Sequence, residues 1–326
     1  MDIAARLTVL GSLNMDISVT VPSLPGPGAT VLGRAAVFAP GGKGAYQAVA
    51  AARLGGERLS VAMIGCTGDD DFGRTLRAAL RAEGVDDSAV RTVAGVPTGI
   101  AMITVDQAGE NIITVAPGAN RELSAADIAD VGRTAASHVL AISAEVPVPV
   151  ISAALAAAAG RALRVLNLAP APPEAAARVA AGPEWLVVNE SEAAAVLGRP
   201  VSGLTEAAAA AAELVAAGAR NAVVTAGAAG AAYCGPPAAG DAGTGQGKTV
   251  VLTIPGFKVQ ATDTVGAGDT FVGALAVALA AGVPPADAVT AAAAAGATAA
   301  TRPGTQSGMP RPADILAVTG HRWPLP

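Results

Sequence analysis

The string Asp263-Thr264-Val265-Gly266-Ala267-Gly268-Asp269-Thr270-Phe271 opens an Ala-rich apolar run that reads as a helix to about Ala281. Gly266 and Gly268 let backbone N–H groups converge at a helix start, where unpaired amides and the helix dipole favour an anion. Asp269 falls in the first turn, where an ionised carboxylate can take a proton from an attacking hydroxyl. A bare G-x-G turn with an Asp cap is ordinary in a chain with 39 glycines. The whole string is far more specific than that.

A second glycine turn, Gly41-Gly42-Lys43-Gly44-Ala45-Tyr46-Gln47-Ala48, also leads into a helix. Its glycines allow a ligand close to the backbone, and Lys43 can donate to a hydroxyl or phosphate oxygen. The spacing is not that of a Walker A loop. After the first apolar run, Gly11-Ser12-Leu13-Asn14-Met15-Asp16 offers an amide and a carboxylate two residues apart, able to grip adjacent sugar hydroxyls. Standing alone it is equally an Asx-rich turn. Asn189-Glu190-Ser191-Glu192 starts a further helix, and Val224-Thr225-Ala226-Gly227-Ala228-Ala229-Gly230 is a glycine turn fit to lie under a nucleotide. Glu192 reads as well as an ordinary N-terminal helix charge.

These groups need a scaffold, and the alternation of the sequence supplies one. Short apolar runs at 7–10, 60–64, 138–142, 164–167, 185–188 and 221–225 read as buried parallel strands, each ending at a polar or glycine turn. Helical stretches at 43–54, 72–83, 151–160 and 206–217 separate them. The expected fold is a doubly wound α/β structure, a mostly parallel central sheet flanked by helices, in one domain over residues 1–326. In such sheets ligands sit outside the carboxyl ends of the strands, so Asn14, Asn167, Asn189 and Thr225 should face one common edge. Residues 16–40 and 98–115 alternate like half-exposed strands and fit a small β-sheet lid over that edge. The stretch 235–248 is a flexible loop by composition.

Composition narrows the partners. Hydrophobic residues make up 52% of the 326, but aromatics only 2%, so the core must be Ala, Val, Leu and Ile. A net charge of -5 with no Lys/Arg cluster argues against nucleic acid or an anionic membrane. The apolar run from Phe271 is broken by Pro284, Pro285 and Asp287 before it reaches a membrane span. The two cysteines, Cys66 and Cys234, make no disulfide framework, and the two histidines, His138 and His321, make no zinc site. A cytoplasmic, reducing setting is expected.

In this order, the stretches resemble the ribokinase family of sugar kinases, from about Leu7 to Leu316, with an apparent insertion at 235–248. The two family signatures match at Gly41–Ala48 and Asp263–Phe271. Pro25–Gly28, Cys66–Asp70, Pro117–Asn120 and Asn167–Pro170 resemble its D-ribose-phosphorylating members. The resemblance implies ATP-dependent phosphorylation of the primary hydroxyl of D-ribose to D-ribose 5-phosphate. It implies Asp269 as catalytic base and the amides of Gly266, Ala267 and Gly268 as the anion hole. Asn14, Asp16, Gly42, Lys43 and Glu145 would line the sugar pocket, with Tyr46 beside them. Asn189, Thr225, Gly227 and Gly230 would border the nucleotide, and Glu192 would organise Mg²⁺ indirectly. A K⁺ activator would lie at Asp263 and Val265 with segment 296–307, and the lid would supply a homodimer contact. One departure stands out: the family usually carries Asn where this chain has Tyr46. That leaves open another furanose or a nucleoside as acceptor, or a sugar-binding protein without turnover.

Overall fold

The computed structural model describes residues 5–128, 138–171, 182–237 and 249–325. The first elements are β1 (Ala5–Leu10), β2 (Asn14–Thr20), β3 (Val37–Gly41), α1 (Lys43–Gly55), β4 (Leu59–Gly68), α2 (Asp71–Ala82) and β5 (Val85–Val93). Then come β6 (Gly99–Val105), β7 (Asn111–Ala116), β8 (Val139–Ser143), α3 (Val148–Ala158), β9 (Leu163–Asn167) and β10 (Trp185–Asn189). The remainder comprises α4 (Glu190–Leu197), α5 (Gly203–Ala216), β11 (Asn221–Thr225), β12 (Gly230–Gly235), β13 (Val250–Pro255), α6 (Ala267–Ala280), α7 (Pro285–Ala300) and α8 (Pro312–Thr319). Short helical turns, among them Ala125–Ile128 and Thr305–Gly308, punctuate the connections.

Nine strands form the central sheet in the order β13-β12-β11-β10-β9-β8-β1-β4-β5. From β11 to β5 every pairing is parallel, whereas β12 and β13 extend the sheet antiparallel. The parallel strands are apolar on both faces because helices cover both. Leu7, Val9, Met63, Val165 and Val187 pack with α1, α6 and α7, while Leu10, Ile64, Leu140, Ile142 and Leu166 pack with α3 and α5. Small residues bring the helices close. A Cβ added to Gly273 of α6 would lie 2.7 Å from the Gln47 carbonyl oxygen of α1. Among the described residues no helix is long and apolar enough to cross a membrane.

A separate four-stranded sheet, β3-β2-β6-β7, is the expected lid. β2 runs antiparallel to β3 and parallel to β6, and Asp16, Ala101 and Val115 share one row of the register. Ala101, Ile103, Ile113 and Val115 present this face to the cavity beneath. Phe38, Met102 and Ile112 lie in the alternate rows, each about half exposed. The expected strand over 16–40 is regular only at its ends. Pro22, Pro25 and Pro27 fall in the irregular part and lack the N–H a ladder needs. The expected loop 235–248 lies outside the described residues from 238 onward.

Candidate active site

The carboxyl ends of β1, β8, β9, β10 and β11 meet the starts of α1 and α6 around a cavity of about 320 Å³. Its lining includes Asn14, Asp16, Gly42, Lys43, Tyr46, Glu145, Asn189, Glu192, Thr225, Val265, Gly266, Gly268 and Asp269. Of the residues singled out in the sequence, Ala267, Asp263, Gly227 and Gly230 do not line it.

At one end the 11–16 turn and the start of α1 interlock. Gly42 holds φ at +96°, and a Cβ there would lie 2.7 Å from the Ser12 carbonyl oxygen, so glycine is required. The Ser12 hydroxyl donates to Glu145 Oε2 at 2.6 Å, and the same oxygen accepts the Lys43 amide at 3.4 Å. Asn120 donates from Nδ2 to Asn14 Oδ1 at 2.8 Å, which leaves the Asn14 NH₂ as the group free to donate to a ligand. The Tyr46 hydroxyl donates to Asp16 Oδ2 at 2.5 Å. Burial pushes Asp16 up to about 6, opposed by the Tyr46 hydrogen bond and reinforced by Glu145 and Asp269.

Asp269 sits in the first turn of α6, buried, with Oδ1 accepting from Gln47 Nε2 at 3.0 Å. Burial raises its pKa, while the Lys43 ammonium and the Gln47 hydrogen bond pull it down. The Lys43 pKa is raised, chiefly by the Asp269 charge. The turn before Asp269 is shaped by Gly266 at φ +78°. The Ala267 amide donates to the Thr264 carbonyl at 3.2 Å, whereas the Gly266 and Gly268 amides have no backbone partner among the described residues. Asp263 pins this turn to a neighbouring loop, accepting from the Val265 amide and the Gly304 amide at 3.0 Å each.

At the far end Asn189 and Glu192 form a reciprocal capping box at the start of α4. Asn189 Oδ1 accepts from the Glu192 amide at 2.8 Å, and Glu192 Oε2 accepts from the Asn189 amide at 2.9 Å. Burial raises the Glu192 pKa as well. A polar end with Asn14, Asp16, Lys43 and Glu145, a buried carboxylate and an amide-rich helix start thus line one cavity, the kinds of group that phosphoryl transfer to a hydroxyl uses.

Residues 4–312 match the family described as pfkB family carbohydrate kinase. The chain belongs to the PfkB family of carbohydrate kinases. It is 35% identical over 317 residues to the ribokinase of Haemophilus influenzae, covering 97% of this chain and 98% of that protein. The kinase superposes on the crystal structure of Thermotoga maritima ribokinase with a TM-score of 0.79 at 31% identity, covering 96% and 98% of the two chains. Arabidopsis thaliana ribokinase, solved with ribose and ATP, gives a TM-score of 0.78 at 28% identity over 96% and 98%.

The kinase also engages residues to which the sequence reading gave no role. Gln47 bridges Asp269 to Asn167, Ser12 steers Glu145, and Asn120 orients Asn14. Thr305 packs against the turn before Asp269, where its methyl group would meet a Cβ on Gly266 at 2.3 Å. Gln47 falls inside the glycine turn 41–48, and Asn120 inside Pro117–Asn120, which carries part of the family resemblance. Thr305 had no such signal, because it reaches the site only through tertiary packing.

Proposed function

We propose that this carbohydrate kinase transfers the γ-phosphoryl group of ATP to the primary hydroxyl of D-ribose, giving D-ribose 5-phosphate. The observation that carries the reading is Asp269: a buried carboxylate between the Asn14/Asp16/Lys43/Glu145 end of the cavity and the unpaired amides of Gly266 and Gly268. Asp269 takes the hydroxyl proton, and the Gly266 and Gly268 amides stabilise charge on the migrating group, with Ala267 holding the turn through Thr264. Asn14, Asp16, Gly42, Lys43 and Glu145 orient the sugar. Asn189, Thr225, Gly227 and Gly230 border the nucleotide, Gly227 and Gly230 from outside the cavity wall.

Four carboxyl groups, Asp16, Glu145, Glu192 and Asp269, face the single ammonium of Lys43 in the cavity. A polyphosphate entering this field needs a counter-cation, and Mg²⁺ fits. Among the described residues no cluster of three acidic, His or Cys side chains could hold a metal alone. One carboxylate, Glu192, acting with phosphates and water is the usual Mg²⁺ arrangement. When bound, the ion neutralises phosphate charge. K⁺ fits the turn that Asp263 ties to Gly304, where backbone carbonyls such as that of Val265 supply hard oxygen donors and the ion would stiffen the anion hole. The lid's exposed apolar rows fit a homodimer contact. Two buried free cysteines, Cys66 with its thiol pushed up to about 11, fit the reducing cytoplasm.

A second reading changes the acceptor to another furanose or a nucleoside. Tyr46 favours it, because its hydroxyl already occupies one lone pair of the Asp16 carboxylate that would bind sugar. The deciding experiment measures ADP release with Mg²⁺ and ATP, with and without K⁺, across ribose, deoxyribose, fructose and nucleosides. K⁺-stimulated turnover highest on ribose supports the first reading. Turnover confined to another acceptor, with Tyr46→Asn restoring ribose, supports the second.

A further inference from the structure

Gln47 stands behind the base. Its Nε2 donates to Asp269 Oδ1 and to Asn167 Oδ1, each at 3.0 Å, and its side chain is fully buried. The sense of this chain of amides is fixed from one end. Asn167 Nδ2 donates to the Val187 backbone carbonyl at 3.2 Å, and a carbonyl only accepts. Asn167 therefore turns its oxygen to Gln47, Gln47 turns its NH₂ to Asp269, and Asp269 must meet that NH₂ with an unprotonated oxygen. Gln47 Oε1 is buried with no partner among the described residues, so the two Nε2 bonds alone hold the amide in this sense.

We propose that Gln47 is the positioning residue of the base: it occupies Asp269 Oδ1, keeps the proton off that oxygen, and leaves Oδ2 to receive the acceptor's hydroxyl proton. The inference rests on the assignment of Asp269 as base. In the transfer the acceptor oxygen bonds to the γ-phosphorus while the bond from phosphorus to the β–γ bridging oxygen breaks. That electron pair leaves with ADP, and the hydroxyl proton passes to Oδ2. The ionisable groups facing Asp269 are Lys43 and Tyr46 from α1, Asp16 from β2, Glu145 after β8 and Glu192 from α4. Gln47 differs from all of them in being neutral and hydrogen-bonded to the reacting carboxylate.

The test is the pH profile of kcat/KM for the sugar in wild type, Gln47→Met and Asn167→Ala. Methionine keeps the length and bulk of Gln47 without the donor; alanine keeps Gln47 but removes its anchor. Loss of a hydrogen bond to the charged form should move the acid limb of Gln47→Met up by about one pH unit. Its kcat/KM below that limb should fall about tenfold, with KM for ATP unchanged. Asn167→Ala should move the limb the same way by less. A merely structural role lowers activity without moving the limb, and an unmoved limb in both variants overturns the proposal. Should Gln47→Met fail to fold, Asn167→Ala decides alone. Asp269→Asn in the same series separates the two levels. Near-normal turnover there sinks the base assignment, whereas collapse with unmoved limbs elsewhere sinks only the role of Gln47.

Discussion

Asp16 is the residue where binding and stability pull apart. Burial lifts its carboxyl from 3.8 to about 6, so the folded chain binds that proton more tightly than the unfolded chain does. The stabilisation is therefore fully present below about pH 4 and is lost as pH rises through about 6. A shift of this size corresponds to on the order of 3 kcal/mol, for a side chain only 8% exposed. The stability of wild type minus that of Asp16→Asn, measured by chemical denaturation from pH 4 to 7 (about the titration window), should fall by that order. A flat difference would show that Asp16 is not held in this environment. At Asp269 the expectation is kinetic: Asp269→Asn should reduce kcat by roughly 10²–10⁴, read from steady-state ADP release. Both acids were legible in the sequence because each follows a glycine turn at a strand end or helix start. Asn167 was legible as well, as one of the polar residues expected at the common strand edge. Gln47 was less so, because an amide inside a helix gains meaning only when folding places it between Asn167 and Asp269.

At the level of elements, the start of α6 is tightly constrained. Gly266 sits at φ +78°, and a Cβ there would come within 2.3 Å of the Thr305 methyl carbon. Gly266→Ala carries a left-handed backbone penalty of about 1–2 kcal/mol besides that clash. It should lower Tm and cut kcat by at least about tenfold by displacing the amides beside Asp269. Adding Thr305→Ser removes the methyl group and should recover part of the stability; no recovery would assign the whole effect to the backbone. Elements with strong β-branched runs, such as Trp185–Val188 and Asn221–Thr225, could be read from sequence. β12 could not, because Gly230-Ala231-Ala232-Tyr233-Cys234-Gly235 is mostly small residues and earns its place by pairing with β11 and β13. β5 was hidden for another reason: Asp86, Asp87 and Arg91 break its apolar pattern, which an edge strand tolerates.

For the whole molecule, the lid poses the remaining structural question. One face closes the cavity with Ala101, Ile103, Ile113 and Val115, while the alternate rows leave Phe38, Met102 and Ile112 at 57, 51 and 48% exposure. Ile113 and Val115 on the cavity side are exposed to a similar degree, at 49 and 42%, so the lid leaves apolar residues in water on both faces and is poorly served as a monomer. In the proposed homodimer, isologous pairing of two lids would bury those residues and, by stiffening the sheet, steady the wall of the cavity. The proposed homodimer should sediment at twice the chain mass of 31.4 kDa. The pair Met102→Asp and Ile112→Asp should shift it to monomer, because two charges per lid cannot be buried face to face without partners. The central sheet does not depend on these side chains, so the Tm of the doubly substituted protein should stay within a few degrees of the wild-type value. Its sugar KM should rise as the lid loosens, while kcat at saturation is affected less. Wild type sedimenting as a monomer would end the dimer proposal and leave the outer lid face as ordinary exposed surface.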